Sequence, residues 1–247
     1  CIRDSDDVDV IAGQGTVGME IVNQYPGSLD SIFVPVGGGG LIAGIAAYVK
    51  YLHPKTKIIG VEAEGSACLH AARAAGKRIR LPAETLDLFA DGVSVEQVGA
   101  APFKIAKQYV DDVVLVNTDE ICAAIKDVFE DTRCVSEPAG ALAIAGMKRY
   151  LAQVEDIKSA VAIVSGANVN FDRLRHISER AEVGEEREAI LAVNIDESPG
   201  SFLRFCKALG RRAITEFNYR FADTQSAHIY VGLRVDSLAA VSYTHLR

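Results

Sequence analysis

Four consecutive glycines, Gly37 to Gly40, separate the apolar run Ser31-Ile-Phe-Val-Pro-Val36 from the helical pattern Leu41-Ile-Ala-Gly-Ile-Ala-Ala-Tyr-Val-Lys50. The order is strand, glycine loop, helix, which is the joint of an α/β unit. A helix start carries unpaired backbone N–H groups and the positive end of the peptide dipoles, so it attracts anions. Glycines remove every Cβ, and the backbone can then wrap a phosphate closely and take positive φ. The spacing matches neither GxGxxG nor GxxxxGK[ST], which sets aside the dinucleotide fingerprint and the Walker loop. Two readings stand: a bare tight turn, or a phosphate cradle for a nucleotide or a phosphorylated cofactor. Four glycines are more than a turn needs.

The chain has 247 residues, enough for one large domain or two modest ones. A net charge of −7 argues against nucleic acid or an anionic membrane as the main partner. No apolar stretch reaches membrane-spanning length; residues 31–49 come closest, and the glycine loop interrupts them. The polar start Cys1-Ile-Arg-Asp-Ser-Asp-Asp has no signal-peptide pattern and no initiator Met, so the chain is expected to begin inside a longer protein. Cys1, Cys68, Cys122, Cys134 and Cys206 are scattered, without CxxC spacing, and read as free thiols in a reducing cytoplasm rather than as disulfides or zinc ligands.

Short apolar runs alternate with helical patterns over the first two-thirds. Strands are expected at 31–36, 57–62, 112–117 and 159–164, with a helix at about 66–75 between the second and third. Asp9-Val-Ile-Ala12 leads through Gly13-Gln-Gly-Thr16 into an amphipathic helix ending near Tyr25. Thr118 is expected to cap a helix with Asp119 and Glu120 in its first turn, and Pro138 suits the first turn of another running to Tyr150. Four strands alternating with helices predict a parallel sheet. The charged stretch Gly184-Glu-Glu-Arg-Glu188 reads as a domain boundary. Beyond it a strand (189–195), a helix (199–209) and two strands (213–221 and 227–235) give a βαββ order, the first part of a small ferredoxin-like α+β unit.

Five motifs occur in order: Ile11-Ala-Gly-Gln-Gly-Thr16, Val34-Pro-Val-Gly-Gly-Gly-Gly-Leu41, Glu62-Ala-Glu64, Ser136-Glu-Pro-Ala-Gly-Ala141 and Ser165-Gly-Ala-Asn-Val-Asn-Phe171. Together they resemble the biosynthetic threonine ammonia-lyase (threonine dehydratase) family of fold-type II pyridoxal-phosphate enzymes. Ser178-Glu-Arg180, Gly184-Glu-Glu-Arg-Glu-Ala189 and Thr215-Glu-Phe-Asn-Tyr-Arg-Phe221 resemble its interdomain junction and ACT-like regulatory domain. The resemblance runs from about Asp9 to Val235. It implies three parts: a parallel-sheet catalytic part over 1–183, a partial ACT-like domain over 184–235 and an atypical tail over 236–247.

The resemblance also implies an activity: L-threonine loses water and ammonia to give 2-oxobutanoate, with L-serine as a second candidate substrate and isoleucine acting as allosteric inhibitor. Pyridoxal 5'-phosphate would be the electron sink, and the protein would orient and tune it. Gly37, Gly38, Gly39, Gly40 and Leu41 would hold the phosphate, which in this family is also thought to assist loss of the β-hydroxyl. Ser165 would face the pyridine nitrogen, where a hydroxyl donates without a carboxylate's charge; a turn serine capping a following helix is its other reading. Glu137 would lie near the cofactor ring, or only offset a helix dipole, and Gly92 would approach the cofactor. Glu62 is a weak candidate for a cation ligand against a capping or solvated carboxylate. In the regulatory part, Phe217, Asn218, Tyr219 and Arg220 are candidates for the branched effector, with ordinary strand packing as the alternative.

The family's Schiff-base lysine lies upstream of the glycine loop in a Ser-x-Lys-x-Arg setting, and no lysine here has that setting. Lys50, Lys55 and Lys57 follow the loop and read as solvated charges. No catalytic residue is therefore assigned within the chain, which is expected to be inactive by itself. A cytoplasmic homotetramer is implied for the full-length protein. A catabolic serine/threonine dehydratase and a non-catalytic amino-acid-binding regulator are the alternatives.

Overall fold

A computed structural model describes residues 5–25, 27–184, 188–221 and 226–234. The tail at 236–247, Val235 and most of the charged stretch after Gly184 lie outside the described residues. The chain forms two compact units, residues 1–178 and 179–247.

The first unit opens with α1 (Val8–Gln24), capped by the Asp7 carboxylate, which accepts from Asp9 N at 2.8 Å. It continues through β1 (Ser31–Pro35), α2 (Gly40–Leu52), β2 (Lys57–Ala63), α3 (Cys68–Ala75), α4 (Ala100–Tyr109), β3 (Asp112–Val116), α5 (Thr118–Thr132), α6 (Pro138–Leu151) and β4 (Ala160–Ala162), and ends in the first half of α7 (Arg173–Gly184), whose residues from Glu179 belong to the second unit. The four strands form one parallel sheet in the order β3-β2-β1-β4, in agreement with the sequence expectation.

Alternation along β2 shows how both sheet faces are covered. A Cβ on Gly60 would meet Ile42 of α2 at 3.1 Å, whereas Val61, next in line, packs on Gly146 of α6. Strands buried on both sides read as unbroken apolar runs, and β1 is buried at all five positions. Ile32, Val34, Ile42, Ile45, Ile58 and Leu69 build the core on the α2 side.

Several elements differ from the sequence expectation. α1 begins at Val8 and passes through both Gly13 and Gly15. The reason lies opposite: a Cβ on Gly44 of α2 would overlap the backbone of Ile11 and Gly15, so these two helices touch main chain to main chain. Asn117, one residue earlier than expected, caps α5; it exchanges side-chain bonds with Glu120 in a capping box, and Thr118 is the first helical residue. The segment at 66–75 is a 3-10 turn, Glu64–Ser66, followed by α3. β4 is only three residues long because it pairs with β1 only from Ser31 to Phe33, with one further bond from Ile163 N to Phe33 O at 3.1 Å.

The second unit contains β5 (Glu188–Asp196), α8 (Ser201–Leu209), β6 (Ile214–Phe221) and β7 (Ser226–Arg234), an antiparallel sheet in the order β5-β7-β6. Phe205 and Leu209 of α8 cover Ile229, Val231 and Leu233 of β7. The βαββ order expected from sequence is present.

Candidate functional site

β1 delivers the chain into the glycine loop at the carboxyl end of the parallel sheet, where open α/β sheets hold ligands. Val36 N still bonds Val61 O at 2.9 Å, so the loop starts from a fixed strand end. Its carbonyls are then held one after another. The Cys68 thiol donates to Gly37 O at 3.5 Å, Gly99 N donates to Gly38 O at 3.0 Å, and Ala43 N donates to Gly39 O at 3.0 Å as the helix begins.

All peptide bonds here are trans, and in a trans peptide the N–H points opposite to the preceding carbonyl. The N–H groups of Gly38, Gly39 and Gly40 therefore turn away from Cys68, Gly99 and the body of α2. No described residue accepts from any of the three, although Gly39 and Gly40 are buried. Buried N–H groups without acceptors are rare in folded proteins and point to a ligand. Leu41, half-buried, follows in the first helical turn.

Glycine is required at this loop for two reasons. Gly39 sits at φ 91°, in the left-handed region, as the N-cap of α2. A Cβ at Gly37 would lie 3.0 Å from Val93 Cα, and one at Gly38 would overlap the Ser5 side chain. The geometry thus fits an oxyanion group such as phosphate: consecutive free donors, no side chains and the positive end of a 13-residue helix.

A second group gathers at the start of α6. Glu137 is its N-cap, without a side-chain capping bond, and its N–H donates to Gly166 O at 3.1 Å. The Glu137 carboxylate sits so close to Gly166 that a Cβ there would overlap it, and a Cβ on Gly92 would come within 3.7 Å of Oε1. Ser165 Oγ donates to Ala139 O at 3.5 Å, the long limit of a hydrogen bond. Its expected capping alternative is absent, because the next helix begins only at Arg173. Gly92 and Val93 share one 3-10 turn, so Gly37, Val93, Gly92, Glu137 and Gly166 are successive neighbours.

Glu62 is fully buried, and its two oxygens accept from Leu69 N at 2.7 Å and His70 N at 2.8 Å. The carboxylate caps α3, and burial, outweighing these bonds, pushes its pKa up to about 7. Among the described residues no three His, Cys, Asp or Glu side chains gather to hold a metal ion. The neighbours that orient the loop, Cys68 and Gly99, carry no local sequence signal; each lies in a different element from the glycines.

The four regulatory candidates divide between the two faces of the antiparallel sheet. Phe217 and Tyr219 pair with Val231 and Ile229 on the α8 face, and both rings make edge contacts with Phe202. Asn218 and Arg220 pair with Tyr230 and His228 on the opposite face, as period-two alternation requires. Tyr219 also donates its hydroxyl to Glu197.

Residues 1–166 match a family described as pyridoxal-phosphate dependent enzyme, and residues 179–242 match the C-terminal regulatory domain of threonine dehydratase. The chain is 58% identical over 232 residues to the L-threonine dehydratase biosynthetic IlvA of Burkholderia multivorans, covering 93% of this chain and 45% of that protein. It is 50% identical over 232 residues to the chloroplastic biosynthetic threonine dehydratase of Arabidopsis thaliana, covering 93% of this chain and 39% of that one. The processed form of threonine deaminase isoform 2 from Solanum lycopersicum superposes with a TM-score of 0.68 at 45% identity, over 71% of this chain and 51% of that one. The chain thus spans less than half the length of the curated relatives it matches. With a family match across two-thirds of its residues and a glycine loop shaped for a phosphate, this chain belongs to the pyridoxal-phosphate-dependent enzymes.

Proposed function

We propose that the chain is part of a biosynthetic threonine dehydratase, which removes water and ammonia from L-threonine to give 2-oxobutanoate on the way to isoleucine. One observation carries the reading: the N–H groups of Gly38, Gly39 and Gly40, which find no acceptor among the described residues, in a chain whose relatives are named for threonine dehydration.

Pyridoxal phosphate, when bound, supplies an electron sink for bond breaking at the substrate Cα. Gly38, Gly39 and Gly40 donate backbone N–H groups to its phosphate, Gly37 and Leu41 bound the cradle, and the α2 dipole favours the anion. Ser165 would turn its hydroxyl proton from Ala139 O, which it meets only at 3.5 Å, to the ring nitrogen, and so orient the ring without placing a carboxylate's charge there. Glu137 lines the ring side, and Gly92 leaves room beside it.

The covalent lysine lies outside this chain. Lys50 is committed to Asp111 Oδ2 at 2.8 Å and Pro54 O at 3.3 Å, at the opposite end of α2 from the glycines, and Lys55 and Lys57 are exposed. In this reading the chain by itself does not turn over. The aromatic edge formed by Phe202, Phe217 and Tyr219 is the effector surface for isoleucine; Asn218 and Arg220 serve the other face of the sheet. The full-length protein is a cytoplasmic homotetramer in this reading.

The test is production of 2-oxobutanoate from L-threonine by the full-length protein, with and without isoleucine, compared with deamination of L-serine. Threonine turnover inhibited by isoleucine is expected. Turnover that isoleucine leaves unchanged would favour a catabolic serine/threonine dehydratase. No turnover with cofactor bound would favour an amino-acid-binding regulator.

A further inference from the structure

We infer that Cys68 is a positioning residue for the phosphate cradle: its thiol, fixed at the start of α3 by the buried Glu62 carboxylate, holds the Gly37 carbonyl and so turns the Gly38 N–H toward the anion. The inference rests on the cradle reading above and adds a residue thirty-one positions away in sequence.

The chain of contacts is short. Glu62 ends its side chain on the N–H groups of Leu69 and His70, which locks the first turn of α3 to β2. Cys68 is the first residue of that turn and is fully buried. Its Sγ then lies 3.5 Å from Gly37 O, an ordinary distance for a sulfur donor. Burial and the neighbouring Glu62 carboxylate, through its charge and a hydrogen bond with the thiol, raise the thiol's pKa, so the group stays protonated, with its single proton open to both Glu62 and Gly37 O.

The planar peptide carries this contact across. Rotating the Gly37–Gly38 unit so that the carbonyl leaves Cys68 would rotate the Gly38 N–H by the same angle. With no Cβ on either glycine, sterics alone would not prevent that rotation. Gly99 performs the same service for the next unit through its bond to Gly38 O. That donor is main chain and survives mutation, which leaves Cys68 as the side chain whose loss frees one N–H of the cradle.

The experiment uses the full-length protein, stripped of cofactor and titrated separately with pyridoxal 5'-phosphate and with pyridoxal, which lacks the phosphate. Cys68→Ala removes the donor and leaves a small void; Cys68→Val removes it and refills the space, so that at least one variant keeps the fold. Both are expected to bind pyridoxal phosphate about three- to tenfold more weakly while binding pyridoxal within twofold of the parent, because one modest hydrogen bond is lost from phosphate recognition alone. Equal weakening toward both ligands, or no weakening toward either, would overturn the inference. Gly38→Asp serves as the parallel arm. If that variant still retains pyridoxal phosphate, the cradle reading itself falls; if it loses the cofactor while the Cys68 variants keep it, only the role of Cys68 falls.

Discussion

Glu62 has no solvent exposure, and its folded-state pKa of about 7 stands above the ordinary 4.5 because burial disfavours the charged form. The sign follows from linkage. A carboxyl raised on folding contributes stability that is complete below the unfolded pKa and is lost as pH rises through the folded one. The stability traceable to this group should therefore fall between about pH 4.5 and pH 7 and stay level above, by an amount up to about 3 kcal/mol. Urea unfolding of the parent protein and of Glu62→Gln across that range checks it. The variant, which cannot ionise, should lose less stability with rising pH than the parent, and parallel curves would remove Glu62 as the source. The strand, glycine loop and helix start are legible from sequence because four glycines separate an apolar run from a helical pattern. Glu62 as a cap was one of several open readings, since its partners Leu69 and His70 follow a 3-10 turn that no pattern announces.

At the scale of elements, the crossing of α1 and α2 puts backbone against backbone, and the glycines within these helices differ sharply in what surrounds them. Gly44→Ala would drive a methyl into Ile11 O and Gly15 N, and main chain cannot swing aside as a side chain can. The helices must separate, at a cost of about 1–3 kcal/mol. Gly13→Ala meets nothing within 4 Å on an exposed face of α1 and should stabilise by about 0.5–1 kcal/mol through helix propensity. Thermal unfolding of the two variants should move in opposite directions; shifts of the same sign would contradict the close crossing. Strands β1 and β2 are legible because both faces are buried along unbroken apolar runs, and β3, an edge strand half-buried at two positions, because Val113 to Val116 is an unbroken apolar run. β4 was read too long because its end depends on where β1 ceases to pair, and α1 was read as starting late because Gly13 and Gly15 look like a loop until Gly44 is placed against them. Phe217 to Arg220 look like one recognition set in sequence, yet strand alternation sends neighbours to opposite faces.

For the whole molecule, the question is how the antiparallel unit bears on the chemistry of the parallel one. Feedback control requires a second site whose ligand prefers one of two states, and the coupling between sites is typically about 1–3 kcal/mol. In the second unit Phe202 meets Phe217 and Tyr219 edge to face at the margin of α8 and β6, and the three rings are about two-fifths exposed at 44%, 40% and 40%, the surface proposed above for the effector. That leaves ring surface available for a branched side chain, and Glu197, bonded to the Tyr219 hydroxyl, places a carboxylate beside it that suits an amino group. The glycine loop, Glu137 and Ser165 all lie in the first unit. Ending the full-length protein before residue 187 should then leave threonine deamination detectable while abolishing its response to isoleucine. The measurement is 2-oxobutanoate formation over a range of isoleucine concentrations, alongside a Phe202→Ala variant of the intact protein, in which half-maximal inhibition should need several times more isoleucine. Isoleucine inhibition that persists in the truncated protein would place the effector site outside this unit.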